Sequence, residues 1–201
     1  MIYLAPIGGL IDYENGILTT PAHKNIPIGI KKGMMWAADN EAFTRGFDPT
    51  RFFSWLKRMK PYRDNCLFIA APDVVGDAAL TLDEWRKWSG KFDAWPLAFV
   101  AQDGQEKLSL PDPATFTTLF IGGSTKWKES MAAVEVIRRG QALKKRIHIG
   151  RVNWRRRYDL FNVLRGSNVF TYDGTRCRYD GVEKTIRAWR GYQAQSPLIT
   201  I

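Results

Sequence analysis

A chain of 201 residues, 45% of them hydrophobic, is long enough to bury one full core and reads as a single domain over 1–201. It has no apolar run near the roughly 20 residues that span a bilayer. Two cysteines, Cys66 and Cys177, and two histidines, His23 and His148, are too few for a disulfide framework or a thiolate or imidazole metal centre, so no metal and no cofactor are expected. A net charge of +10 favours a polyanionic partner.

The opening Met1-Ile2-Tyr3-Leu4-Ala5-Pro6 lacks the basic lead and apolar stretch of a secretory signal, so a cytosolic location, its own cell's or a host's, is expected. It reads as a first strand, Ile2 to Ala5. Asp12 to Asn25 is the least regular stretch, and Ile26 to Ile30 is a weaker strand candidate. Met35 to Ala38 is a clear strand. Asp48-Pro49 then supplies an N-cap and a proline at the first helical position, and Phe52, Leu56 and Met59 form one stripe that Pro61 stops. Strand Leu67 to Ala71 is followed, after the cap Asp77, by Ala78, Leu82, Trp85 and Ser89 on one helix face. Strand Leu97 to Ala101 and strand Leu119 to Ile121 come next. After Ser124-Thr125, Trp127, Met131 and Val134 share a face, with Gly140 as a stop. Strand Ile147 to Ile149 precedes a helix capped by Asn153, carrying Trp154, Tyr158 and Phe161 and ended by Gly166. Strand Asn168 to Tyr172 and a helix with Val182, Ile186 and Trp189 complete the order. The tryptophans and phenylalanines fall at core spacing.

Several strand runs are apolar throughout, as in a parallel sheet buried on both faces. Alternation of strands and helices predicts an α/β fold, and about eight strand candidates favour a compact single-domain (β/α)8 barrel of TIM type. No G-x-G-x-x-G follows an early strand, which argues against a dinucleotide-binding domain.

In such a barrel, chemistry collects where strands end. Those ends deliver Asp39 in ADNEAF, Asp73 in APDVVGD, Gln102 and Asp103 in FVAQDG, Gly122, Gly123 and Ser124 in FIGGS, Gly150-Arg151 in HIGRVN, and Asp173 in TYDGT. Taken singly, each aspartate can be a helix cap and each glycine a turn. Taken together they converge on one mouth. Crowded, buried carboxylates raise one another's proton affinity, so one can serve as an acid while another stays an ionised nucleophile. Breaking a glycosidic bond requires that division of labour. Residues 138–157 add nine Lys or Arg (Arg138, Arg139, Lys144, Lys145, Arg146, Arg151, Arg155, Arg156 and Arg157) and no acid. A solvated helix face is the ordinary account of such a run, but this one straddles a strand and is read as a phosphate-binding surface that includes Lys144, Lys145, Arg151, Arg155, Arg156 and Arg157. No basic helix with a broad apolar face accompanies it, so a membrane surface is the weaker partner.

In their order, ADNEAF, APDVVGD, FVAQDG, IGGS, GRVN followed by RRR, and YDGT resemble the tRNA-guanine transglycosylase superfamily over Met35 to Thr175. The nearer likeness is to its short phage and bacterial branch, the DNA 7-deazaguanine transglycosylases. That resemblance implies a barrel pentosyltransferase that exchanges guanine in DNA for a free 7-deazaguanine base without cutting the backbone. By motif, Asp173 matches the nucleophile that holds the sugar covalently, and Asp39 the general acid/base. Asp73 and Gln102 match the readers of the guanine edge, and Gly122 and Gly123 offer backbone groups to the base. Two departures stand out. Glu41 and Ala42 replace small residues after the first aspartate, and the Cys-and-His zinc set of the tRNA enzymes is absent, which favours DNA over RNA. Three other readings stay open: a non-catalytic nucleic-acid-binding barrel subunit, a tRNA-guanine transglycosylase-like enzyme acting on RNA, and a nucleosidase or small-molecule enzyme. A homodimer is compatible with the sequence.

Overall fold

The structure, a computed structural model, describes residues 2–7, 15–152 and 170–174, together with Lys184, Arg187 and Ala188. The expected helix from Asn153 to Gly166, the first residues of the last strand and Arg155 to Arg157 lie outside the described residues. So does most of the final helix, in which Lys184, Arg187 and Ala188 are helical. Eight parallel strands form a closed barrel in sequence order: β1 (Ile2–Pro6), β2 (Gly16–Thr19), β3 (Trp36–Ala38), β4 (Cys66–Ala70), β5 (Leu97–Ala101), β6 (Thr118–Ile121), β7 (Arg146–Ile149) and β8 (Phe170–Asp173). Closure is made by β1 on β8, with Ile2 opposite Thr171 and Leu4 opposite Asp173. This is the TIM-type α/β barrel expected from the alternation of elements. No helix among the described residues is long and apolar enough to cross a membrane.

Because strand side chains alternate between faces, the two apolar clusters divide by parity. Tyr3, Trp36, Ala38, Ile69, Phe99, Ala101, Leu119, Ile121, Ile149 and Tyr172 belong to the larger cluster, with helix residues such as Phe52, Trp55, Trp85 and Ile137. These positions face outward. Leu4, Ala37, Phe68, Ala70, Ala98, Val100 and Phe120 form the second cluster, inside the barrel. Three rings fill its lower part: Phe120 and His148 lie 4.4 Å apart, and Phe68 and His148 4.8 Å. Alanines at 37, 70 and 98 leave room beside them, so volume is matched across facing strands.

Helices α1 (Ile28–Lys31), α2 (Pro49–Met59), α3 (Ala78–Trp88), α4 (Thr125–Lys128) and α5 (Met131–Ala142) cover the described outer face. Asp48 caps α2 by accepting from the Arg51 N–H, and Asp77 caps α3 by accepting from the Leu80 N–H, as the sequence suggests. Four expectations are corrected. Ile26 to Ile30 is no strand: Pro27 has no N–H to pair, and the chain turns into α1 directly after it. The missing strand is β2, within the stretch read as irregular. There Gly16 lets β1 come close, since a Cβ would meet Leu4 Cδ2 at 2.5 Å. Third, the helix after Ser124 is two helices. The break at Glu129-Ser130 resets the phase, so Trp127 and Val134 are buried while Met131 is 68% exposed. Fourth, Gly140 lies inside α5 and stops nothing; a Cβ there would strike Leu119 Cδ2 at 2.5 Å, so glycine sets how closely α5 packs on the sheet.

Candidate active site

Counting inward parity past the strand ends gives the site. Ala37, Val100, Phe120, His148 and Thr171 point inward, so Asp39, Gln102, Gly122, Gly150 and Asp173 occupy the next inward positions toward the carboxyl ends. They line one cavity of about 490 Å³ with Asp73, Glu41, Phe43, Gly123, Lys128 and Arg151, over a floor of Leu4, Leu18, Ala70, Val100 and Phe120.

Besides Glu41, which is paired with Arg51, three carboxylates share this space. Asp173 Oδ1 accepts the backbone N–H of Arg151 at 2.8 Å, and the buried imidazole of His148 brings Nε2 to 3.3 Å from the same oxygen. His148 Nδ1 meets Thr171 Oγ1 at 2.9 Å. His148 Nε2 therefore faces Asp173. Asp39 Oδ1 accepts the Glu41 N–H at 2.6 Å. Burial holds the Asp39 carboxyl above the ordinary range; the Glu41 N–H works against that, and the charge on Asp173 adds to it. Asp73 lies between two amides: Asn40 Nδ2 donates to Oδ1 at 2.6 Å and Gln102 Nε2 to Oδ2 at 2.5 Å. Burial pushes Asp73 up to about 6, with Asp39 adding and Asn40, Gln102 and Arg151 opposing.

Gln102 has no freedom to turn. Its Oε1 accepts from Gly76 N at 2.9 Å and Gly123 N at 2.8 Å, so Nε2 must face Asp73 and the cavity. The Gly122 N–H goes to Ala101 O and the Gly123 N–H to Gln102. Neither N–H is therefore spare for a base, and any backbone group these glycines offer it is a carbonyl. What they contribute is absence: a Cβ on Gly122 would stand 2.7 Å from Gln102 Nε2, and Gly123 has φ +67°, where a Cβ would meet Trp127 at 2.5 Å. Asp103, next to Gln102, turns away and accepts from the Ser124 backbone N–H and hydroxyl, both at 2.6 Å. It is structural.

The cationic run splits. Lys144 and Lys145 precede β7, at the opposite end of the barrel from the cavity, and Lys145 Nζ donates to Pro113 O and Phe116 O. Arg151, past the carboxyl end of the same strand, lines the cavity; its Nη2 donates to Gly123 O at 3.2 Å and its guanidinium lies 4.1 Å from the Phe43 ring centre. The length of β7 separates Lys144 and Lys145 from Arg151.

Sequence reasoning missed four residues here. Lys128 is 1% exposed and donates from Nζ to Gly150 O at 2.7 Å. Only its place one turn after the Gly-Gly loop hinted at it. His148 had a findable signal, a polar residue at inward parity within an apolar strand. Phe43 is 62% exposed at the mouth, and its position four residues past Asp39 marked it. Asn40, which ties the Asp39 loop to Asp73 and to Ala71 O, had none. Glu41, noted as a departure, is buried in the left-handed region at φ +64°, paired with Arg51 and accepting from Thr20 Oγ1 at 2.9 Å.

The chain matches no family model, and no curated protein matches it.

Proposed function

We propose that the cavity exchanges a purine base on a nucleic-acid sugar, replacing guanine in DNA with a free 7-deazaguanine base. One observation carries this reading: Asp39 and Asp173 share a cavity with the Asp73–Gln102 pair, whose donors and acceptors complement the guanine edge. Gln102 Nε2 keeps a second hydrogen for O6. Each Asp73 oxygen has a further lone pair for N1–H and N2–H. The cavity volume lies in the roughly 300–1,000 Å³ range of small-molecule pockets. A base in a duplex reaches such a mouth only by leaving the stack, and the exposed ring of Phe43 offers it an apolar face.

The steps balance within the chain. An Asp173 oxygen attacks C1′; the C1′–N9 bond breaks, its electrons leave with guanine, and Asp39 supplies the proton that neutralises the departing base. The raised proton affinity of Asp39 suits an acid. The incoming base then gives its N9 proton to Asp39, N9 attacks C1′, and Asp173 leaves. The backbone stays intact, and no cofactor is required.

Incubation of the purified protein with duplex DNA and labelled guanine or 7-deazaguanine tests this reading. Label should enter the DNA, and Asp173→Ala should abolish both incorporation and any covalent adduct on denaturing gels while DNA binding persists. Absence of label and of adduct overturns the reading in favour of a binding-only barrel. Label in RNA alone would change the substrate, and turnover of free nucleosides alone would select a nucleosidase.

A further inference from the structure

We infer that the phosphates of the bound strand are held by a basic rim on the β2–β3 side of the cavity, centred on Lys24 and Arg45. The inference rests on the reading that nucleic acid enters this mouth. A polyanion approaching Asp39, Asp73 and Asp173 meets three carboxylates and needs cations beside them. Lys144 and Lys145 cannot supply these, because β7 lies between them and the mouth, about 13 Å of strand at 3.3 Å per residue.

The loops after β2 and β3 emerge at the mouth itself. Arg45 lines the cavity on a helical turn closed by its own N–H to Glu41 O at 3.0 Å, two residues from Phe43. His23 also lines the cavity, and Lys24 follows it, exposed. Arg58 Nη2 donates to Lys24 O at 2.6 Å and His23 Nδ1 accepts the Thr20 N–H at 3.2 Å, so this loop is anchored at both flanks. No described carboxylate lies within ion-pairing distance of Lys24 or Arg45. Of the two acids that flank Arg45 along the chain, Glu41 is paired with Arg51 and Asp48 accepts the Arg51 N–H as the cap of α2. Among the described residues neither cation is matched by a carboxylate; Arg45 stands on the rim that carries Phe43, and Lys24 is exposed next to His23, which lines the cavity. Arg151 extends the same rim from the β7 side.

Anisotropy of a labelled DNA duplex, titrated with the full chain at about 50 to 200 mM salt, decides the matter. Each phosphate contact contributes about 0.9 to the slope of log affinity against log salt. Lys24→Ala/Arg45→Ala should flatten that slope by about 2, and Lys144→Ala/Lys145→Ala should leave it unchanged. Thermal unfolding of both double variants controls for folding. An unchanged slope in the first variant, a loss confined to the second, or no duplex binding by the wild type overturns the inference. Binding that responds as expected, without any base exchange, sinks the transglycosylase reading and leaves the rim standing.

Discussion

Replacing Asp73 with asparagine separates the cost of the site from its use. The Asp73 carboxyl is raised from 3.8 to about 6, chiefly by burial. A raised carboxyl holds its proton more tightly in the folded state than in the unfolded chain. Its stabilising contribution is therefore complete below about pH 3.8 and is lost as pH climbs through about 6. A displacement of about two units corresponds to about 3 kcal/mol at roughly 1.36 kcal/mol per unit, and solvent in the cavity screens it below that. The substituted amide carries no such dependence, but it sets an N–H₂ against one of two donors. Gln102 cannot rotate to accommodate it, because its Oε1 is held by Gly76 and Gly123. That mismatch costs about 1–3 kcal/mol at any pH. The two effects nearly cancel at neutral pH, so the slope is the informative quantity. Urea denaturation should show the stability of Asp73→Asn relative to wild type rising by about 2–3 kcal/mol between pH 4 and pH 8. Base binding should be lost throughout. A relative stability that stays flat across that range refutes the burial argument.

Gly122→Ala places a Cβ 2.7 Å from Gln102 Nε2 and 2.9 Å from Val100 Cγ1; it should cost about 1–3 kcal/mol in urea denaturation and weaken base binding at least about tenfold through the displaced amide. Gly90→Ala, with nothing within 4 Å, is the silent control. Arg51→Ala strands the buried Glu41 carboxylate with Thr20 as its remaining partner; because Arg51 is itself a third exposed, the cost should be about 2 kcal/mol, below the roughly 3–5 of a fully buried pair. Glu41→Gly removes the same pair but relieves a left-handed residue by about 1 kcal/mol, so it should be the milder of the two. The reverse order of urea midpoints would contradict the electrostatic account of this pair.

The barrel was legible where strands are apolar on both faces. Leu97–Ala101 matches its predicted span, and five others differ by one or two residues. β2 was not legible: four residues between polar neighbours carry too little pattern, and its glycine is explained only by the approach of Leu4. The decoy at Ile26 to Ile30 alternates like a strand, yet Pro27 turns it into a helix. In the site, Asp39, Asp73, Gln102 and Asp173 could be picked out because each follows an apolar strand. Asp103 could not be separated from Gln102 by the same rule, since one residue of parity decides which enters the cavity. Asn40, Lys128 and the inward pairing of His148 with Asp173 arise from contacts across strands that no local pattern encodes.

By itself, the order of residues determined the class of fold, the outward cores of the helices and the carboxylates that meet, because side-chain periodicity and strand ends are properties of short segments. Only the closed barrel decided the remainder. It oriented Gln102 by two distant N–H groups, raised Asp73 by burial, and sent Lys144 and Lys145 to one end and Arg151 to the other. Burial and hydrogen-bond partnership depend on what the rest of the chain places nearby, and that is settled when β8 meets β1.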